Sequence, residues 1–269
     1  MARDLEGKTA FVTGSGRGLG NVIAHRLAVR GANVAVHDLS WDAPAKYGEA
    51  ADLGEVVKQV EAVGVRSLGV TGNIGERDAV AKMRADLEAA FGAIDILVNC
   101  AGGDIGAAGG KPEPNNILGI TYEDLLTLTN NNLIGTMLVT QAFVPQMVAR
   151  QSGVVVNIAS VAAHAGFSHG GIYATLKAAV VHYTRCLAAE VQKDGVRVNA
   201  VSPGPSKTAR FQATRVVDSE KMDSGKASFD RYAEPEEIAD VVAFLCGHEA
   251  RFIHGQVLRV DGGLSLYAG

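Results

Sequence analysis

Apolar and polar positions along the chain follow two rhythms. Short runs such as TAFVT, IDILVN and GVVVNIA are apolar without interruption, as strands are when both faces of a parallel sheet are covered. Longer segments of helical period lie between them. Strands are predicted at 8–13, 33–38, 66–70, 94–99, 153–158, 197–201 and 256–260, and helices at 18–30, 53–63, 76–91, 121–150, 171–194 and 235–245. Strand and helix alternating in this order predict one α/β domain over residues 1–269. The expected architecture is a doubly wound Rossmann fold with a seven-stranded, mostly parallel sheet and helices on both faces. Two stretches fit neither rhythm, 102–119 and 206–235. Both follow strand carboxyl ends, where ligands bind in such folds, and the second is expected to be a substrate lid.

Composition adds exclusions. A net charge of -4 gives no reason to expect nucleic acid or an anionic membrane as partner. No window reaches the length of apolar chain a membrane helix needs, and MARDLEGKTAFV places charges where a signal peptide requires an apolar run. A cytoplasmic, soluble protein is expected. Cys100, Cys186 and Cys246 lack CxxC spacing and read as buried thiols of a reducing compartment. The pairs His164/His169 and His248/His254 have no accompanying carboxylate or cysteine pattern, so no metal site is expected.

The stretch TGSGRGLG, 13–20, stands where the first strand turns into the first helix. Glycines there let the backbone turn sharply and approach a pyrophosphate lying at the helix N-terminus. Asp38, at the end of the next strand, can accept hydrogen bonds from a ribose 2′-hydroxyl and would repel a 2′-phosphate. NAD is therefore expected over NADP. Arg17, inside the glycine turn, is the opposing signal, because it could attract that phosphate.

Tyr173 and Lys177 are spaced to share one helix face. A phenol with a pKa of about 10 is a poor base at neutral pH, and bringing it near 7 requires about 4 kcal/mol of preferential phenolate stabilisation. A lysine ammonium one turn away has the right sign to supply part of it. Ser160, directly after the strand GVVVNIA, lies at the ligand-binding edge and could orient a substrate oxygen.

The combined pattern resembles the short-chain dehydrogenase/reductase family. TGSGRGLG matches its glycine turn and NCAG, 99–102, its NNAG element. NLIGT with Asn132, Ser160, the YxxxK of Tyr173 and Lys177, and NAVSPGPSKT follow in the family's order, over nearly the whole chain. The resemblance implies that Tyr173 is the general acid/base, that Lys177 lowers its pKa and holds the nicotinamide ribose, and that Ser160 binds the reacting oxygen. Asn132 would anchor a water in a proton relay. Gly14, Ser15, Arg17, Gly18, Leu19 and Gly20 would form the pyrophosphate turn, with Asp38, Asn73, Ile74, Asn99, Ala101 and Gly102 on the adenosine side. Pro203, Gly204, Ser206 and Thr208 would lie toward the nicotinamide. His164, Phe167 and His169 are candidates for contact with substrate. Cys100 and Asn73 depart from the family's usual asparagine and aspartate, and Ser206 from an aliphatic residue.

These features imply an NAD(H)-dependent oxidoreductase interconverting a secondary alcohol of polyol, sugar or hydroxyacyl type and its ketone. The family also implies a homotetramer. An NADP(H)-dependent 3-oxoacyl-type or other carbonyl reductase is the alternative. A non-catalytic dinucleotide-sensing protein fits less well, because the set Asn132, Ser160, Tyr173 and Lys177 is complete.

Overall fold

A computed structural model describes residues 3–225 and 228–266. Seven strands, β1 (Thr9–Val12), β2 (Asn33–Asp38), β3 (Ser67–Thr71), β4 (Ile96–Asn99), β5 (Gly153–Ile158), β6 (Val196–Pro203) and β7 (Val257–Val260), form one sheet in the order β3-β2-β1-β4-β5-β6-β7. Every pairing is parallel. The expected fold is therefore present, and the sheet is parallel throughout. β1 and β4 are buried at every position, which explains why their sequences do not alternate.

Two apolar layers cover the sheet. One is built on α1 (Gly18–Val29), α2 (Leu53–Glu61) and α8 (Pro235–Cys246), with Ile23, Leu27 and Val242 against Val12 and Val34. The other uses α3 (Arg77–Phe91), α5 (Gly135–Ala149) and α6 (Gly171–Glu190), where Phe143 packs on Phe11 with ring centroids 5.1 Å apart. The chain leaves β1 for β2 on one side and β3 for β4 on the other. The strand order thus reverses between β1 and β4, and a crevice opens beyond their carboxyl ends.

Two expected elements differ. The single helix expected over 121–150 runs as α4 (Tyr122–Thr129), a π turn at Asn130–Ile134, then α5. A π turn inserts one residue into the helical ladder and re-aims a side chain, here Asn132, which is fully buried. The lid expected over 206–235 has structure of its own: α7 (Ala209–Thr214) and a 3-10 turn at Ser219–Met222. Lys207 ties it down, its ammonium donating to the Met222 carbonyl at 2.8 Å and to Glu234 at 2.6 Å. Positions 226–227 of that lid, and residues 1–2 and 267–269 of the expected domain, lie outside the described residues. Of the three thiols expected to be buried, Cys246 is, whereas Cys100 is half-buried and Cys186 is exposed on α6. Among the described residues, no helix is long and apolar enough to cross a membrane, and no cluster of His, Cys, Asp or Glu is arranged to hold a metal.

β2 braces the glycine turn through a buried histidine. The Gly14 N–H donates to His37 Nδ1 at 3.0 Å, and Nε2 lies 2.9 Å from the Gly72 carbonyl. Nδ1 accepts, so the proton sits on Nε2 and the ring is neutral. Burial, first among the causes, holds the His37 pKa below its ordinary 6.5. Below that pH the unfolded chain takes up a proton that the native ring refuses, so stability is lost as pH falls. We expect the urea midpoint to drop between pH 8 and pH 5. His37→Phe should destabilise by about 1–3 kcal/mol at pH 8, by leaving the Gly14 amide unpaired, and should flatten that slope.

Candidate active site

The crevice is shaped by close backbone approach. The Thr13 hydroxyl at the end of β1 accepts from the Cys100 and Ala101 amides at 3.0 and 3.1 Å, locking the tip of β4 to the turn. Gly14 has φ +65°, and a Cβ there would meet Ala101 Cα at 2.7 Å. At Gly20 a Cβ would lie 2.2 Å from the Gly14 carbonyl oxygen. No side chain fits at either position, so α1 begins directly behind the turn with its N-terminus facing the crevice. Ser15, expected in the pyrophosphate turn, is buried. It donates to the Val12 carbonyl at 2.7 Å and accepts from the His37 amide at 2.9 Å. It braces the turn from behind. Leu19 packs its side chain against the core.

A groove of about 340 Å³ runs from the glycine turn across the ends of β1 and β4, and it brings together Gly14, Arg17, Gly18, Gly20, Asp38, Asn73, Ile74, Ala101, Gly102 and Thr208. Asp38 is buried. Its Oδ1 accepts from the Leu39 amide at 2.8 Å, whereas Oδ2 has no hydrogen-bond partner and faces Arg17 Nε at 3.5 Å. Arg17 is held away from a free role, for it donates to the Ala43 carbonyl at 2.9 Å and lies 5.4 Å over the Tyr47 ring. A buried carboxylate oxygen without a hydrogen-bond partner, and a turn with no room for a Cβ at Gly14 or Gly20, fit an adenine-ribose hydroxyl and a pyrophosphate respectively.

Four expected residues, Asn99, Pro203, Gly204 and Ser206, stand behind the groove or off it. Asn99 donates to Thr140 Oγ1 at 3.1 Å and to Asn157 Oδ1 at 2.9 Å, and Asn157 donates on to Thr184 at 2.9 Å. This buried chain stitches β4 and β5 to α5 and α6. Gly204 packs on Asp261, with a Cβ there 2.9 Å from its Cα, and Ser206 turns its hydroxyl to the Gly204 carbonyl at 3.0 Å. Pro203 ends β6 beside them.

Glu49 is a groove residue that the sequence reading missed. Its carboxylate accepts from the Gly18 amide at 2.6 Å, at the N-terminus of α1. A helix N-terminus favours an anion there, and Glu49 supplies one from the long connection between β2 and α2. Nothing in its spacing could have revealed this. From the same connection Lys46 donates to the Gly109 carbonyl at 2.9 Å, joining this segment to the one after β4.

Tyr173 lies in the first turn of α6 and Lys177 one turn on. Lys177 Nζ donates to the Ile158 carbonyl at 2.9 Å and lies 5.8 Å from the centre of the Tyr173 ring. Burial lowers its pKa to about 8 and raises that of the neighbouring Cys100 thiol to about 11. Ser160, just beyond β5, caps the following 3-10 turn and acts to lower the pKa of the phenol. In the polypeptide alone the Tyr173 pKa is raised. Burial outweighs Ser160, Arg210 and Arg215, which lower it, and Asp104 adds to the rise. Lys177 directs its ammonium at the Ile158 carbonyl, and burial sets the direction of the Tyr173 shift.

Asn132 uses its side chain on the segment after β4. It accepts from the Gly103 amide at 2.8 Å and donates to the Gly103 and Leu128 carbonyls at 3.0 and 2.9 Å. Of the substrate candidates, Phe167 and His169 are exposed beside α6. His164 is not in the groove: its ring bonds Ser202 at 2.9 Å and faces Arg185 and Arg259. A second residue missed from sequence is Arg210 of α7, which lines the groove and donates to the Gly102 carbonyl at 3.0 Å.

Comparison with known proteins agrees with this geometry. A family profile described as Enoyl-(Acyl carrier protein) reductase matches residues 14–265. A cyclohexanol dehydrogenase of Rhodococcus sp. (strain TK6) is 34% identical over 269 residues, covering 97% of each chain. The crystal structure of a short-chain type dehydrogenase/reductase from Mycobacterium marinum superposes with TM-score 0.84 at 29% identity, covering 98% of both chains. A 7α-hydroxysteroid dehydrogenase complexed with NADH and 7-oxo glycochenodeoxycholic acid superposes with TM-score 0.83 at 28% identity, over 97% of this chain and 95% of that one. With the glycine turn, the Ser160/Tyr173/Lys177 cluster and these likenesses in agreement, the chain belongs to the short-chain dehydrogenase/reductase family of nicotinamide-dinucleotide oxidoreductases.

Proposed function

We propose that the protein interconverts a secondary alcohol and its ketone with NAD(H). The observation that carries this reading is the convergence of Ser160, Tyr173 and Lys177 at the carboxyl edge of β5, beside the dinucleotide groove. The relatives support it, one named for cyclohexanol and one bound to NADH with a keto steroid.

The nicotinamide, when bound, supplies or accepts the hydride. The chain does the rest. Tyr173 gives a proton to the ketone oxygen in reduction and removes the hydroxyl proton in oxidation. Ser160 donates to the same oxygen and steadies it beside the phenol. The burial that holds Tyr173 protonated suits proton donation. For oxidation it must be offset by positive charge, from Lys177 and from Arg210 and Arg215, which already act on the phenol. Asn132 holds Gly103, and with it the wall opposite α6.

Cofactor choice rests on Asp38. Its orphaned Oδ2 can accept a ribose hydroxyl and would repel a 2′-phosphate, while Arg17 is engaged with Ala43, Tyr47 and Asp38 itself. The pyrophosphate must compete with the Glu49 carboxylate for the Gly18 amide.

Three measurements check this reading. Tyr173→Phe should bind NAD nearly as the wild type does while turnover falls about 10²–10⁴-fold; more than about a tenth of the rate remaining would overturn its role. Asp38→Ala should raise kcat/KM with NADP relative to NAD by about tenfold, and a wild type that already prefers NADP would refute the assignment. Glu49→Gln should tighten NAD binding about two- to fivefold in a fluorescence titration, by removing a competing charge from the helix terminus.

A further inference from the structure

Three cations stand at the mouth of the site. Arg210 lies on α7, Arg215 just after it, and Lys111 on the facing segment between β4 and α4. Arg210 is fixed by its bond to the Gly102 carbonyl and by close packing on Gly103, where a Cβ would meet its Nη1 at 2.8 Å. Lys111 Nζ is 3.9 Å from Asp104 Oδ2. Arg215 rests 5.1 Å over the Phe211 ring, and among the described residues its guanidinium has no hydrogen-bond or ion-pair partner. Arg215 and Lys111 are both exposed at the surface.

Arg210 and Arg215 both act on the Tyr173 phenol, and the Lys111 ammonium is disfavoured first by burial and then by Arg215, as one cation disfavours another. The carboxylate acting on the same set is Asp104, whose side chain is 8% exposed and accepts from Asn115 at 2.9 Å. One withdrawn carboxylate can balance one of three cations at most. Crowding like charges around a phenol costs stability, and an exposed guanidinium fork without a partner matches a planar or tetrahedral anion in two parallel hydrogen bonds. The neighbouring surface is apolar: Ile117 is 57% exposed and lies against Gly171, at the start of α6.

We propose that the substrate is an anionic secondary alcohol, its carboxylate or phosphate gripped by Arg215 with Lys111 while its carbinol reaches Ser160 and Tyr173. Arg210, tied to Gly102, sets the positive field between the two ends. This assignment names the substrate class of the oxidoreductase reading and rests on it. A neutral alcohol would still meet the reactive end but would leave the Arg215 fork unmatched.

The test uses 3-hydroxybutanoate, 4-hydroxypentanoate and 5-hydroxyhexanoate, each beside its methyl ester, and a hydroxyalkyl phosphate of matching length. Each is titrated calorimetrically into the full-length protein with the reduced cofactor present, so that binding is read without turnover. The free acid or the phosphate should bind about tenfold tighter than the ester at one chain length or more. Arg215→Gln, and separately Lys111→Gln, should shrink that ratio toward one. Tighter binding of the acid alone identifies a carboxylate, and of the phosphate alone a phosphoryl group. Equal binding of acid, phosphate and ester at every length, or a ratio that survives both substitutions, overturns the proposal. Oxidation rates on the same compounds, measured with NAD, report separately on the oxidoreductase reading. Ester and acid turned over alike, with equal affinities, would sink the anion site and leave that reading standing.

Discussion

The contact on which the molecule depends is made of backbone. Where β1 passes into α1, the Gly14 carbonyl lies against Gly20 and the Gly14 Cα against Ala101, with no room for a side chain at either glycine. Thr13 pins the same point to the tip of β4 by accepting two amides. This junction lies at the reversal of strand order, so it decides how far the β1 and β4 tips stand apart and therefore whether there is a groove at all. The buried supports, Ser15, His37 and the chain from Asn99 to Thr184, hold that junction from below. None of them needs to touch a ligand.

At the other end of the groove, a small number of charges are held in opposition. Burial keeps the Tyr173 phenol protonated and weakens the Lys177 ammonium, while Arg210 and Arg215 pull the phenol the other way. A phenol held between such opposing influences responds strongly to any further charge placed beside it. Ser160 and Lys177 come from β5 and α6, but the arginines come from α7. The electrostatics around the Tyr173 phenol are therefore set partly by a segment outside the sheet.

Three such segments overhang the crevice, and they distinguish this chain from the bare fold. The connection after β2 brings Glu49 to the α1 terminus and Lys46 to Gly109. The connection after β4 is clamped by Asn132 and carries Asp104 and Lys111. The segment after β6 is fastened through Lys207 and presents Arg210 and Arg215. Each meets another through one or two polar contacts, so a single substitution can loosen one without unmaking the sheet beneath.

The sequence alone determined the sheet, its helices and the grouping of Ser160, Tyr173 and Lys177. Those depend on local periodicity and on residues close together in the chain: an apolar run makes a covered strand, and four residues of helix bring a tyrosine under a lysine. The tertiary structure decided what depends on distant segments meeting. It turned His164 to Ser202, put the Asn99 side chain behind the groove, inserted a π turn to aim Asn132, and brought Arg17 to Asp38 and Tyr47. It also placed Glu49 on Gly18 and two arginines of the segment after β6 within electrostatic reach of Tyr173. A side chain's partner across the fold follows from packing of the whole, and no spacing along the chain encodes it.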